Sequence, residues 1–284
     1  MMDIQRVGVV GCGQMGGGIV QGFAQAGFPV VVRESTSELL DRGLNRISDI
    51  LARAVEKGKL TDPDRQSTLG RITGTLDLAD FADCDLVIEA IVERMDAKQE
   101  VFSTLDRLVK PEAILASNTS SLAVMELAVA TKRPDRVAGM HFFNPVPIMP
   151  IVEVVRTILT SDETIATIRT AAAALGKTVV LARDTPGFIV NLLLIPYLLD
   201  AIRAYEHGVA SRDDIDAAMK LGCGLPMGPL TLADFIGLDT VLYIGDVLLG
   251  ELHQEKYAAP PLLRRMVTAG LLGRKSGRGF YDYP

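Results

Sequence analysis

The residues in this chain best set up to move a proton are His141 and Glu153. His141 closes a short apolar run, Arg136-Val137-Ala138-Gly139-Met140, that reads as a buried strand. Glu153 lies in the middle of another, Ile151-Val152-Glu153-Val154-Val155. Pro145, Pro147 and Pro150 between them forbid regular pairing, so the chain turns there and the two strands lie side by side. A carboxylate inside an apolar strand needs a partner, because an isolated buried charge costs several kcal/mol or more. Histidine is a natural one. A carboxylate on one ring nitrogen sets the tautomer and leaves proton transfer to the other. A structural His–Glu pair at a strand end fits the same residues, and this stretch alone does not separate the two readings.

The second chemical signal is Gly11-Cys12-Gly13-Gln14-Met15-Gly16. It follows the apolar run Arg6–Val10 and opens a helix expected over Gly16–Ala26. Strand, tight turn and helix are the context that a dinucleotide-binding glycine motif requires. Gly11 permits the turn, Gly13 admits a pyrophosphate to the backbone, and Gly16 lets the helix pack closely. The anion then meets the unpaired N–H groups at the helix N-terminus. A second strand, Pro29–Val32, runs into Arg33 and Glu34. A carboxylate there accepts the adenosine ribose 2′-OH and repels a 2′-phosphate, which favours NAD over NADP. Arg33 argues the other way, since an arginine can hold that phosphate.

Further strands are expected at Arg71–Thr73, Leu86–Ala90 and Ala113–Ala116. Ser117-Asn118-Thr119-Ser120-Ser121 sits at the carboxyl edge of the last of these, where open α/β sheets bind ligands. The same residues could simply cap a helix over Leu122–Ala130. Residues 36–69 read as charged helix with a break at Thr61-Asp62-Pro63. Arg53, Lys57 and Lys59 there either solvate a helix face or grip a phosphate-bearing ligand. A helix at about 162–175 and a strand over Thr178–Leu181 end this part. After Asp184-Thr185-Pro186-Gly187, a hinge-like turn, strand signals stop. Helices are expected at Phe188–Glu206, Arg212–Leu221, Leu230–Leu249 and Pro261–Ala269. The fold class is therefore α/β: a Rossmann-type doubly wound sheet domain over 1–184, then a smaller all-helical domain over 185–284. Asn191, in the first turn of an apolar helix, needs hydrogen-bond partners that a ligand could supply. The Gly-rich basic tail around Gly273–Tyr281 could be a flexible end.

Composition narrows the class. The chain has 284 residues, 48% hydrophobic and 23% charged, enough for two domains with sizeable cores. A net charge of −6 argues against nucleic acid and anionic membranes as partners. Three scattered cysteines suit a reducing cytosol and offer no metal site. The longest apolar run, Ile189–Ile202, is interrupted by Asn191, Pro196 and Asp200 and is too short to span a bilayer. No leader is evident, so a cytoplasmic location is expected.

Taken together, the glycine motif, Ser117–Ser121, His141-Phe-Phe-Asn-Pro145, Asp184-Thr-Pro-Gly-Phe-Ile-Val-Asn191, Pro226-Met-Gly-Pro229 and Gly273-Arg-Lys-Ser-Gly277 resemble the 3-hydroxyacyl-CoA dehydrogenases. The nearest likeness is to short bacterial 3-hydroxybutyryl-CoA dehydrogenases, over essentially the whole chain. The resemblance implies an NAD-linked oxidoreductase in which His141 is the general base or acid and Glu153 orients it. It implies that Ser120 and Asn191 bond the substrate oxygen and the histidine region. Gly11, Gly13, Gln14, Met15, Gly16, Glu34, Glu93, Lys98, Asn118, Asn144 and Lys275 would line the NAD site. Lys57 would meet the phosphates of an acyl-CoA substrate, and the protein would be a homodimer through its helical domain. Two departures, Leu192 where many relatives carry Arg and Leu225 before Pro-Met-Gly-Pro, put the acyl chain length in doubt. Rival readings are a dehydrogenase of a free hydroxy acid such as L-gulonate, one acting on a carrier-protein thioester, and a non-catalytic NAD-binding protein.

Overall fold

Val7–Val10 carries no polar side chain and forms β1, buried along its whole length. The chain then turns through the glycine motif into α1 (Gln14–Gln25), returns as β2 (Val30–Arg33), and continues through α2 (Ser37–Glu56), α3 (Asp62–Gly70) and β3 (Ile72–Thr75). A second run follows: β4 (Leu86–Glu89), α4 (Met95–Leu108), β5 (Ile114–Ser117), α5 (Val124–Ala128) and β6 (Val137–Phe142). β7 (Ile151–Arg156), α6 (Asp162–Ala174) and β8 (Thr178–Arg183) complete it. The computed structural model describes residues 3–283, and the chain divides into two compact units, Met1–Thr185 and Pro186–Pro284.

In the first unit eight strands make one sheet in the order β3-β2-β1-β4-β5-β6-β7-β8. β1 to β6 pair in parallel, β7 runs antiparallel to β6, and β8 is parallel to β7. β1, β4 and β5 are buried at every residue, as strands covered on both faces must be. The order reverses at β1, between β2 and β4. That is the switch point where a doubly wound sheet opens a crevice at its carboxyl edge.

The second unit contains α7 (Val190–Glu206), α8 (Arg212–Cys223), α9 (Pro229–Ile236), α10 (Leu238–Leu252) and α11 (Pro261–Thr268). They close on a core that includes Leu198, Leu199, Leu230, Leu238, Val241, Leu248, Tyr257 and Leu263. Asp216, on α8, is buried and caps α9, accepting from the Leu230 and Thr231 amides at 2.8 and 2.9 Å.

Several local expectations change. The helix expected over Leu230–Leu249 is two helices, because Gly237 at φ +103° breaks it. α1 begins at Gln14, with Gly13 as its N-cap, two residues before the expected start. α7 begins at Val190 rather than Phe188, whose own φ is +50°. The break expected at Thr61-Asp62-Pro63 is present, between the end of α2 at Glu56 and the start of α3: Thr61 caps α3 and Pro63 sits in its first turn, where a missing N–H costs nothing. The helix expected over Leu122–Ala130 shrinks to α5. Its cap is not a Ser or Asn of the polar cluster but Asp184, which accepts the Val124 and Met125 amides at 2.9 and 2.7 Å. The basic tail is no flexible end. The buried Asp234 carboxylate takes the Phe280 and Tyr281 amides and the Tyr283 hydroxyl at 3.0, 2.9 and 3.0 Å.

Candidate active site

His141 and Glu153 face each other in register across the β6–β7 antiparallel pair. His141 Nδ1 lies 2.6 Å from a Glu153 carboxylate oxygen. Glu153 is fully buried and His141 nearly so, at 7% exposure. The register explains the contact: residues directly opposite on one sheet face bring their Cβ atoms to roughly 5 Å. With Nδ1 on the carboxylate, Nε2 is the ring nitrogen through which a proton could be moved. The Phe143 ring packs beside the imidazole, centroids 4.7 Å apart.

Two contacts steady the end of β6. Asn118, just past β5, accepts the Phe142 amide on its side-chain oxygen at 3.0 Å. Lys177 reaches the proline-rich loop and donates to the Val146 and Met149 carbonyls at 2.6 and 2.7 Å. Burial draws the Lys177 ammonium below its ordinary value, and the two carbonyls are what it has in return.

The glycine turn is built to bring backbone to a ligand. Gly11 stands at φ +101°, and a Cβ there would lie 2.6 Å from the Ala90 carbonyl oxygen. A Cβ on Gly16 would lie 2.0 Å from the Gly11 carbonyl oxygen, so the first turn of α1 can press on the loop only as glycine. A Cβ on Gly13 would meet nothing within 4 Å, which leaves room for a pyrophosphate over the α1 N-terminus. This cradle fits a dinucleotide. α2 braces it from behind, where Arg46 donates to the Cys12 carbonyl at 2.8 Å and Gly43 leaves space for the Cys12 side chain. Burial, with Glu34 adding to it, pushes the Cys12 thiol up to about 11, so it packs as a neutral apolar group. Glu34 closes the other side, accepting the Cys12 and Ser35 amides at 2.6 and 3.1 Å. Arg33 points its guanidinium to the Leu76 carbonyl at 3.2 Å.

At the carboxyl edge of β4 and β5 lies a polar cluster that sequence reasoning saw only in part. Lys98 is 1% exposed, its ammonium 2.6 Å from Glu89 and 3.1 Å from Glu93. Glu93 accepts the Ser120 amide at 3.0 Å and the Thr119 hydroxyl. Burial pushes the Glu93 carboxyl up, but Lys98 and these donors outweigh it and hold the carboxyl below its usual range. Glu89 was missed, and so was the bond it accepts from the Ser117 hydroxyl at 2.6 Å. The signal was present: Glu89 ends an apolar strand, and a buried carboxylate calls for partners there as it does at Glu153.

The remaining expected site residues have these local surroundings. Lys57 closes α2 and is exposed, as is Asn144 in the loop after β6. Asn191 is buried in the first turn of α7, in the second unit. Lys275, also in the second unit, lies on Asp239 at 2.6 Å.

Comparison with known proteins gives this arrangement a class. The family model "3-hydroxyacyl-CoA dehydrogenase, NAD binding domain" matches residues 6–185, and "3-hydroxyacyl-CoA dehydrogenase, C-terminal domain" matches residues 187–283. The chain belongs to the 3-hydroxyacyl-CoA dehydrogenase family, and its first unit is that family's NAD-binding domain. It is 56% identical to a probable 3-hydroxybutyryl-CoA dehydrogenase of Deinococcus radiodurans, over 98% of this chain and 100% of the relative. It is 53% identical to a 3-hydroxybutyryl-CoA dehydrogenase of Mycobacterium tuberculosis, over 99% of each chain. The solved (S)-3-hydroxybutyryl-CoA dehydrogenase of Ralstonia eutropha is 44% identical, covering 99% of this chain and 100% of its own, with a TM-score of 0.95.

Proposed function

We propose that this NAD-dependent oxidoreductase interconverts L-3-hydroxyacyl-CoA and 3-ketoacyl-CoA, with a short acyl chain such as 3-hydroxybutyryl. The observation that carries the chemistry is His141 on the buried Glu153 at 2.6 Å, within the NAD-binding unit. When bound, the nicotinamide takes up or returns the hydride of C3. In the oxidative direction His141 Nε2 takes the 3-hydroxyl proton, and Glu153 holds the tautomer and offsets the imidazolium charge that results. Ser120, whose amide donates to Glu93, would meet the substrate oxygen, on the family likeness. Gly13, Gln14 and Met15 receive the pyrophosphate. Asn191, Lys275, Asn144 and Lys57 keep their substrate and cofactor roles as part of the same reading, on the family likeness.

The test is NADH consumption with acetoacetyl-CoA against free acetoacetate. Turnover that requires CoA is expected; turnover of the free acid alone would move the assignment to a hydroxy-acid dehydrogenase. Glu34, tethered at the loop, should make NADH better than NADPH in kcat/KM by at least ~10-fold, which is about 1.4 kcal/mol. Equal use of NADPH would mean that Arg33 leaves Leu76 to hold a 2′-phosphate.

A homodimer through the helical unit is part of the proposal, supported by Leu193 and Leu221, 68% and 86% exposed. Light scattering at the 30.6 kDa of one chain would remove it. No helix among the described residues is long and apolar enough to cross a membrane. The cytoplasmic placement is likewise proposed, on three cysteines that are all free.

A further inference from the structure

Lys98 is shared by two carboxylates. Glu89 is fully buried and accepts three bonds: the Ile91 amide at 2.7 Å, the Lys98 ammonium at 2.6 Å and the Ser117 hydroxyl at 2.6 Å. Glu93, its side chain 24% exposed, takes the other side of Lys98 at 3.1 Å. Two carboxylates against one ammonium leave the cluster with one excess negative charge. The fully buried member is held by Lys98 and Ser117, so the excess is presented through Glu93, the only one of the three that reaches the surface of the crevice.

The inference rests on the NAD placement proposed above. With the adenosine ribose at Glu34 beyond β2 and the pyrophosphate at the α1 N-terminus beside β1, the strand order β2-β1-β4-β5-β6 carries the other end of the dinucleotide over β4 and β5. His141 is the penultimate residue of the next strand, β6. The nicotinamide ring therefore lies on the side of the crevice that Glu93 faces. That ring is cationic when oxidised and neutral when reduced. A fixed negative charge beside it stabilises one form and leaves the other nearly unaffected.

We infer that the Glu89–Lys98–Glu93 cluster sets the difference in affinity between oxidised and reduced NAD, through its one uncompensated carboxylate. Glu89 acts at a distance: by sharing Lys98 it keeps Glu93 from being neutralised. Replacing either carboxylate with an amide leaves the cluster without net charge.

The experiment measures Kd for NAD+ and for NADH separately, by fluorescence and calorimetry, with no acyl-CoA present. In Glu89→Gln the ratio Kd(NAD+)/Kd(NADH) is expected to rise about five- to thirtyfold. This corresponds to one unit charge ~8 Å from the ring at an effective dielectric of roughly 20–40. Glu93→Gln should move the ratio in the same direction. Ser117→Ala removes a hydrogen bond to Glu89 but no charge, and should leave the ratio within about twofold. An unchanged ratio with both affinities equally weakened would show the cluster to be structural and overturn the inference. If Glu89→Gln fails to fold, Glu93→Gln decides by the same criterion. Wild-type protein that binds neither form would defeat the NAD placement itself, and the inference with it.

Discussion

His141→Gln is expected to lose most of kcat, by about 10²–10⁴-fold, while NADH still binds within about threefold of wild type. The reason lies in the register of β6 and β7, which puts the imidazole on a fully buried carboxylate. Glutamine fills much of the same space but cannot take a proton. Glu153→Gln should also cut kcat, by roughly 10²-fold or more. Its amide N–H₂ can donate to Nδ1, which favours the tautomer with a proton already on Nε2 and removes the base. The double variant should be little worse than His141→Gln alone, because the two residues act as one unit. The measurement is kcat for all three variants, with NADH affinity and thermal unfolding as controls. Near-wild-type turnover in His141→Gln would end the assignment. Normal turnover in folded Glu153→Gln, together with lowered stability, would make the pair structural.

The largest effect on stability is expected at Asp234. Its carboxylate is fully buried and accepts two backbone amides and one hydroxyl from the C-terminal strap. The backbone is shaped around it: a Cβ on Gly279 would lie 2.0 Å from an Asp234 carboxylate oxygen. Asp234→Ala therefore leaves the Phe280 and Tyr281 amides without an acceptor in a buried place. At about 1–3 kcal/mol per orphaned buried donor, the loss should be roughly 3–4 kcal/mol. That corresponds to a fall in Tm of about 10 °C, at roughly 2–4 °C per kcal/mol for a chain of this size. Asp234→Asn keeps one acceptor oxygen and should lie between. A Tm within about 2 °C of wild type in Asp234→Ala would mean that the strap is held by its apolar contacts, Phe280 foremost.

Much of the molecule was legible because local chemistry leaves few choices. An apolar strand, three glycines at fixed spacing and a helix demand the first turn of a doubly wound sheet, and a charged residue in a buried strand demands a partner. His141 and Glu153 were readable on those terms, since a proline-rich connection between two short apolar runs can close only by bringing them side by side. The likeness of spaced motifs added the chemistry that follows from them.

What the tertiary structure decided is which groups meet when the chain between them is long. Asp184 caps a helix that begins sixty residues earlier, where the Ser and Asn beside that helix looked sufficient by sequence. Asp234 holds a tail whose glycines and basic residues read as flexible, because the density of glycine there serves close approach to a buried carboxylate rather than freedom. Glu89 stood in plain view at the end of a strand, yet only the parallel register of β4 with β5 places Ser117 against it, and only the first turn of α4 returns Lys98. Sequence by itself determined that buried charges must be answered. Which residue answers each one is a matter of distances across strands, and those exist only once the sheet has formed.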